Sequence, residues 1–353
     1  MLRWPALLAA TVAGGWVLDA AGLPSAYLFA ALLAGLAMAL AAPGAVDVPP
    51  PAFTAAQAVT GVVLGAYLKT SSLRAAADAW LPVTLVSAGT LGICLAVGIV
   101  LGRRARVDGP TAVLGMIAGG ASGIVAMARE LGGDDRLVAF MQYLRVLIVV
   151  LLTPLIAGFA FGHEASRSAP SVPLFGDARG WLITLAAAPV GALIGRAIRL
   201  PAGTLLGPLA LAGTLALAHP FGRFAVPELL QQAAFIGIGL QVGLRFTADT
   251  VREVGRLLGP VILAIVALMV ACFGLALALT ATTDISLLDA YLATTPGGLY
   301  AVLAAAFGAG ADTTFILAVQ TLRLLVMVLL APLVVRWMVR PTAPGTSGGP
   351  APR

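Results

Sequence analysis

The chain has 353 residues, of which 60% are hydrophobic and 10% charged, with a formal net charge of +6 and a mean hydropathy of +1.02. An ordinary soluble domain carries roughly 25% charged residues, and a globule of this size must cover its outside with polar groups. The composition therefore excludes a soluble enzyme and makes lipid the solvent. Lys and Arg occur singly between apolar stretches or in the short cluster Arg103, Arg104 and Arg106, which reads as juxtamembrane anchoring rather than a nucleic-acid face.

Apolar runs long enough to cross about 30 Å at about 1.5 Å per residue fall at 5–21, 24–42, 80–102, 137–161, 181–196, 202–218, 257–280 and 312–335. Shorter runs cover 54–68 and 229–244, and glycines interrupt two others, 111–131 and 289–308. No signal-peptide cleavage pattern follows the first run, so the N-terminus is expected to stay and span. The tail 341–353, rich in Pro and Gly, reads as disordered. Cys94 and Cys272 lie inside apolar runs and His163 and His219 lie apart in polar connectors. They offer no CxxC pair and poor material for a metal centre, so neither metal nor cofactor is expected.

Internal self-similarity is strong. Leu23-Pro24 recurs as Leu200-Pro201, and Gly61-x-x-Leu64 with Leu68-Lys69 recurs as Gly237-x-x-Leu240 with Leu244-Arg245. Gly119-Gly120, Asp134, Gln142-x-x-Arg145 and Pro154 return as Gly297-Gly298, Asp312, Gln320-x-x-Arg323 and Pro332 at one constant offset of 178. This reads as a tandem duplication: a first membrane repeat over 1–162, a connecting loop over 163–180 and a second repeat over 181–340. If all twelve segments crossed, Lys and Arg would divide almost evenly between the two sides. If the two Gly-broken runs are re-entrant, the cationic residues collect on one side, as the positive-inside rule requires. The expected fold is thus an all-α integral membrane protein. It has two tandem, inverted repeats of about five transmembrane helices and one re-entrant segment each, an arrangement common in secondary transporters.

Broken helices at membrane depth are tolerated only where they are buried in protein or line a water-filled cavity. In Thr294-Thr295-Pro296-Gly297-Gly298, Pro296 stops one half-helix and the glycines free backbone groups before the next. The first copy reads Ala118-Gly119-Gly120-Ala121-Ser122-Gly123. Amides at such a half-helix start attract anions, although glycines in membranes also serve close helix packing alone. Arg145 and Arg323 fall near the midplane if the preceding aspartates mark the interface, where a charge costs at least about 2.5 kcal/mol. Gln142 and Gln320 share a helical face with them. Each arginine either staples its own broken segment by capping carbonyls, or meets a solute, or does both. Gln57 and Gln241, with Gln231 and Gln232, sit in the short runs and are secondary candidates together with Ser122 and Thr295. Amide side chains there also serve as interhelical glue.

A Gly-Gly break, an acidic turn and then Gln-x-x-Arg in a long apolar helix, appearing twice in order, resembles the AbrB family of bacterial membrane proteins with an internal duplication. The motifs are Leu200-Pro201, Gly207-Pro208, Pro296-Gly297-Gly298, Gln142-Tyr143-Leu144-Arg145 and Gln320-Thr321-Leu322-Arg323, and the resemblance covers about residues 5–338. Members are also labelled ammonia monooxygenases or transcriptional regulators. The residues support neither label directly: there is no histidine cluster for a monooxygenase metal and no helix-turn-helix or basic module for DNA. The family's Gly-Gly-Leu-Ser-Glu-Met type motif is altered here, with Ala118 for the proline and Gly123 for the glutamate in the first copy and Ala301 for the glutamate in the second. The resemblance carries Arg145 and Arg323 over as site positions. The expected activity is that of a multi-pass inner-membrane permease, not an enzyme, for a small and anionic or polar solute held between the repeats. Its expected partners are the bilayer, that solute and a second copy in a homo-oligomer. The alternative is a membrane-bound sensor that affects gene expression indirectly.

Overall fold

The computed structural model describes residues 3–23, 25–68, 70–118, 124–125, 128, 131–161, 173–200, 202–218, 224–245 and 255–339. Among them the chain is helical throughout, without strands. In order the helices are α1 (Arg3–Ala20), α2 (Ala26–Ala41), α3 (Pro50–Ala66), α4 (Thr70–Asp78), α5 (Trp80–Ala105), α6 (Gly109–Met116), α7 (Asp135–Phe161), α8 (Ala178–Ala197), α9 (Gly203–Ala218), α10 (Glu228–Gly243), α11 (Gly255–Thr282), α12 (Leu287–Thr294), α13 (Leu299–Gly308) and α14 (Thr313–Val339). Each apolar run from the sequence falls on a helix, and each Gly-interrupted run begins as a short helix that stops, α6 or α12. The amphipathic α4 has no counterpart among the runs. Helix α8 starts at Ala178, inside the stretch read as a connector, because Asp177 caps it by accepting from the Gly180 amide at 2.8 Å. Residues 162–172 and the tail from 340 lie outside the described residues.

Four helices, α5, α7, α8 and α11, are long and apolar enough to cross a membrane, or five spans if the bent pair α3 and α4 counts as one. Their outward faces are apolar: Leu182, Leu263 and Val270 are 70%, 67% and 66% exposed. Such a surface suits hydrocarbon, where backbone polar groups must be satisfied within the helix.

Cohesion comes from close backbone approach. Helix α2 packs on α10 and α3 on α9, with glycine at the crossings. A Cβ added at Gly61 would lie 2.3 Å from the Leu205 carbonyl, and one at Gly239 would lie 2.3 Å from the Leu28 carbonyl. Small residues let helices meet this closely where lipid supplies no hydrophobic drive. The contacts also give direction. Leu28 faces Gly239 and Leu32 faces Gly243, so α2 and α10 run in the same sense. Leu205 faces Gly61 and Leu209 faces Gly65, so α3 and α9 do too.

The start of α2 and the end of α3 meet the same element. The Ser25 hydroxyl donates to the Ala304 carbonyl on α13 at 2.7 Å, and the Tyr67 ring lies 5.1 Å from that of Phe307. The start of α2 and the end of α3 thus share one place on α13. Helix α5 packs on α11, with α6 against α7 and α12 against α14.

Candidate functional site

The long helices α7 and α14 hold the two broken segments. Asp134 caps α7, its carboxylate accepting from the Arg136 and Leu137 amides at 2.9 and 3.1 Å. Asp312 does the same for α14 through Thr314 and Phe315, both at 3.1 Å. An aspartate suits this place because the first amides of a helix have no partner of their own. The Asp134 amide donates in turn to the Thr111 hydroxyl near the start of α6 at 2.7 Å. The Asp312 amide donates to the Asp289 carboxylate near the start of α12 at 2.7 Å. Each broken stretch thus returns to the level where it enters, whereas a 20-residue helix would have carried the chain about 30 Å away.

Two turns further along, the glutamine and arginine reach across to the break. The Gln142 amide donates to the Leu114 and Ile117 carbonyls at 2.6 and 2.9 Å. Arg145 donates through Nη1 to Met116 at 3.3 Å and Ile117 at 2.8 Å, and through Nη2 to Gln142 Oε1 at 2.8 Å. In the second copy Gln320 donates to Leu292 and Thr295 at 2.9 and 3.3 Å. Arg323 donates to Thr294 and Thr295 at 3.2 and 2.7 Å and to Gln320 Oε1. Every donor and acceptor in one set corresponds to one in the other at the offset of 178. The carbonyls are those left open when α6 and α12 stop, so the planar fork of arginine does at mid-chain what a C-cap does at a helix end.

The staple satisfies hydrogen bonds and leaves charge. Arg145 and Arg323 are 2% and 3% exposed. Among the described residues, the ionisable groups near them are the buried thiols Cys94 and Cys272 and, for Arg145, Arg323, with no carboxylate. The Nε of both arginines and the hydroxyl of Thr321 are buried without a hydrogen-bond partner, and the buried Tyr291 hydroxyl lies within reach of the Thr295 and Thr153 side chains. All four groups can donate, and all lie on α7, α12 or α14.

The other sequence candidates divide cleanly. Thr295 is in the second break: its carbonyl takes the Arg323 contact and its hydroxyl donates to the Tyr291 carbonyl at 2.7 Å. Pro296 follows it, and the Gly297 amide folds back on the Thr295 carbonyl at 2.9 Å. Gly297 packs against Val149 and Gly298 against Val146, so α7 staples its own break with one face and meets the second break with the next. Gly298 is the N-cap of α13 and gives no side-chain hydrogen bond there. Gly119, Gly120 and Ser122 lie outside the described residues.

Gln57 is not at the breaks; it accepts from Thr204 at 2.5 Å and bridges α3 to α9. The Gln241 side-chain amide lies against the Arg245 guanidinium and, with its oxygen assigned to that side, accepts from it at 2.6 and 3.0 Å; that guanidinium lies 5.1 Å from the Tyr143 ring centre. Gln231 donates to the Val226 carbonyl at 2.6 Å and Gln232 to Glu228 at 2.7 Å. Tyr291 and Thr321 were not among the sequence candidates. Their counterparts at the offset are Val113 and Tyr143, so a search for repeated residues passes over them.

The model of the family described as transition state regulatory protein AbrB matches residues 27–339. The chain is 36% identical over 317 residues to the Escherichia coli (strain K12) protein named "Putative regulator AbrB", covering 90% of each chain. It is 25% identical to the Bacillus subtilis (strain 168) "Uncharacterized protein YhjN" over 349 residues, 92% of this chain and 90% of that one. The described residues form no DNA-binding fold; they are apolar helices of membrane type. With a match over most of its length and a relative above one-third identical end to end, the chain belongs to the AbrB family.

Proposed function

We propose that this protein is an inner-membrane permease that holds a small anion between two inverted halves. The observation that carries this reading is the pair of buried guanidinium groups, each with an unused Nε and, among the described residues, no carboxylate within reach. Two like charges in a low-dielectric interior call for an anion, and the unpartnered hydroxyl of Thr321 adds a donor on the same helix as Arg323. The uncapped start of α13 contributes further free amides. Half-helix starts of this kind at a repeat interface are how secondary transporters bind anionic substrate groups.

Support for duplication and inversion comes from the packing. Helices α2 and α9 are counterparts in the internal repeat, as are α3 and α10, and if α2 runs against α3, whose end shares α13 with its start, each counterpart pair runs in opposite senses. The cross-half pairs α2 with α10 and α3 with α9 are themselves exchanged by the repeat. In transporters such inversion lets one half rock against the other around a fixed site.

The test is a thermal-shift screen of the purified wild-type chain against small organic and inorganic anions. A ligand at about 100-fold over its Kd should add about 2.7 kcal/mol, and anion flux into proteoliposomes should follow for the same compound. Failure of every anion to stabilise at millimolar concentration would sink the anion site. The relative's name favours a second reading, a membrane sensor that binds without transporting. It predicts the same stabilisation with no flux.

A further inference from the structure

Away from the breaks, an apolar groove of about 660 Å³ runs along the crevice between α8 and α9, lined by Leu182, Ile183, Ala186, Val190, Leu211 and Leu215, with Arg179 at one end. The two helices are antiparallel, since Gly195 meets Gly203 and Gly191 meets Gly207. From Arg179 to Val190 the helix rises about 16 Å at 1.5 Å per residue, close to the thickness of one leaflet, about half of the 30 Å hydrocarbon core. The groove therefore has a cationic mouth where α8 starts and an apolar floor that ends near mid-bilayer. Trp181, beside the mouth, donates its indole N–H to the Phe175 carbonyl at 2.6 Å, a position suited to the membrane–water interface. Asp177 has one carboxylate oxygen engaged by the Gly180 amide as the helix cap, which leaves Arg179 as the group facing the groove.

We infer that this groove binds one acyl chain of an anionic phospholipid whose phosphate pairs with Arg179. The length match selects a single leaflet's chain, and the Arg179 guanidinium, the one charged group lining the groove among the described residues, selects an anionic headgroup over a zwitterionic one. One cation near the surface contributes about 1 kcal/mol toward an anionic lipid, or about fivefold in occupancy at 1.4 kcal/mol per tenfold.

The test reconstitutes the full chain in nanodiscs of phosphatidylcholine with and without phosphatidylglycerol, and measures retained lipid by mass spectrometry after mild detergent extraction. Wild type should retain phosphatidylglycerol about fivefold over its share of the mixture. Arg179→Gln should abolish that preference while still retaining a chain, and Ala186→Phe, an exposed position inside the groove, should reduce retention of both lipids. Equal retention of the two lipids by wild type, or an unchanged preference in Arg179→Gln, would overturn the assignment. So would a change from dimer to monomer in Ala186→Phe, which would make the groove a contact between copies of this chain.

Discussion

The two broken segments share a frame and differ in lining. In both, the amide and guanidinium reach carbonyls at matching positions, and an aspartate amide closes the root of the stretch. Yet the residues that own the stapled carbonyls are Met116 and Ile117 in the first copy and Thr294 and Thr295 in the second. Val113 stands where the second copy has Tyr291. A staple that grips backbone oxygens is indifferent to the side chains beside them, so the frame can persist while the lining changes. The comparison teaches that the recurring residues hold the architecture and that the non-recurring hydroxyls give the second break its polarity.

The largest effect tests the relation between the halves. Asp108 and Ser286 are counterparts, both exposed and each capping the start of its broken segment. Single Asp108→Cys and Ser286→Cys variants should react with an impermeant thiol reagent from opposite sides of the membrane, against a low background because Cys94 and Cys272 are buried. Labelling from one common side would exclude inversion.

Next come the staples. Arg145→Lys and Arg323→Lys keep the charge and lose the fork, stranding carbonyls and a glutamine oxygen that each cost about 1–3 kcal/mol when buried unpaired. Both should lose about 3 kcal/mol of stability in detergent unfolding, within about 0.5 kcal/mol of one another if the frames are equivalent. A mild loss in one copy and a severe loss in the other would show that the halves share less than their bonds suggest.

Smaller effects should appear at the crossings. Gly61→Ala and Gly239→Ala each force a methyl against a carbonyl at 2.3 Å and should cost about 1–3 kcal/mol. Gly92→Ala, with nothing within 4 Å of the added carbon, should be neutral or slightly stabilising. The smallest change sharpens the comparison of caps: Asp134→Ala should cost about 1 kcal/mol. Asp312→Ala should cost more, because that carboxylate also accepts from the Ser72 hydroxyl on α4. Equal losses would mean the α4 contact adds nothing.

Much of the site was legible in the sequence because it is carried by residue types that lipid makes conspicuous. An arginine in an apolar helix must have a partner, and its recurrence with a glutamine three residues earlier marked both staples. The return of each broken stretch could be read only indirectly, from charge bias. Gln57 and Gln241 look like site residues because short runs at matching positions often bind ligands; in the structure Gln57 bridges α3 to α9 and Gln241 lies beside Arg245. An amide in a helix looks the same in sequence whether it bonds a neighbour or a solute.

What the sequence by itself determined is the solvent, the apolar runs and the recurring polar pattern, since each depends on composition and spacing along one chain. What only the tertiary structure decided is which helices meet: α2 with α10 as well as with its neighbour α1, α3 with α9, and α7 lying against both breaks. The reason is physical. In lipid every apolar face is equally content, so partners are chosen by the fit of small residues against a facing backbone, and that fit belongs to two segments at once.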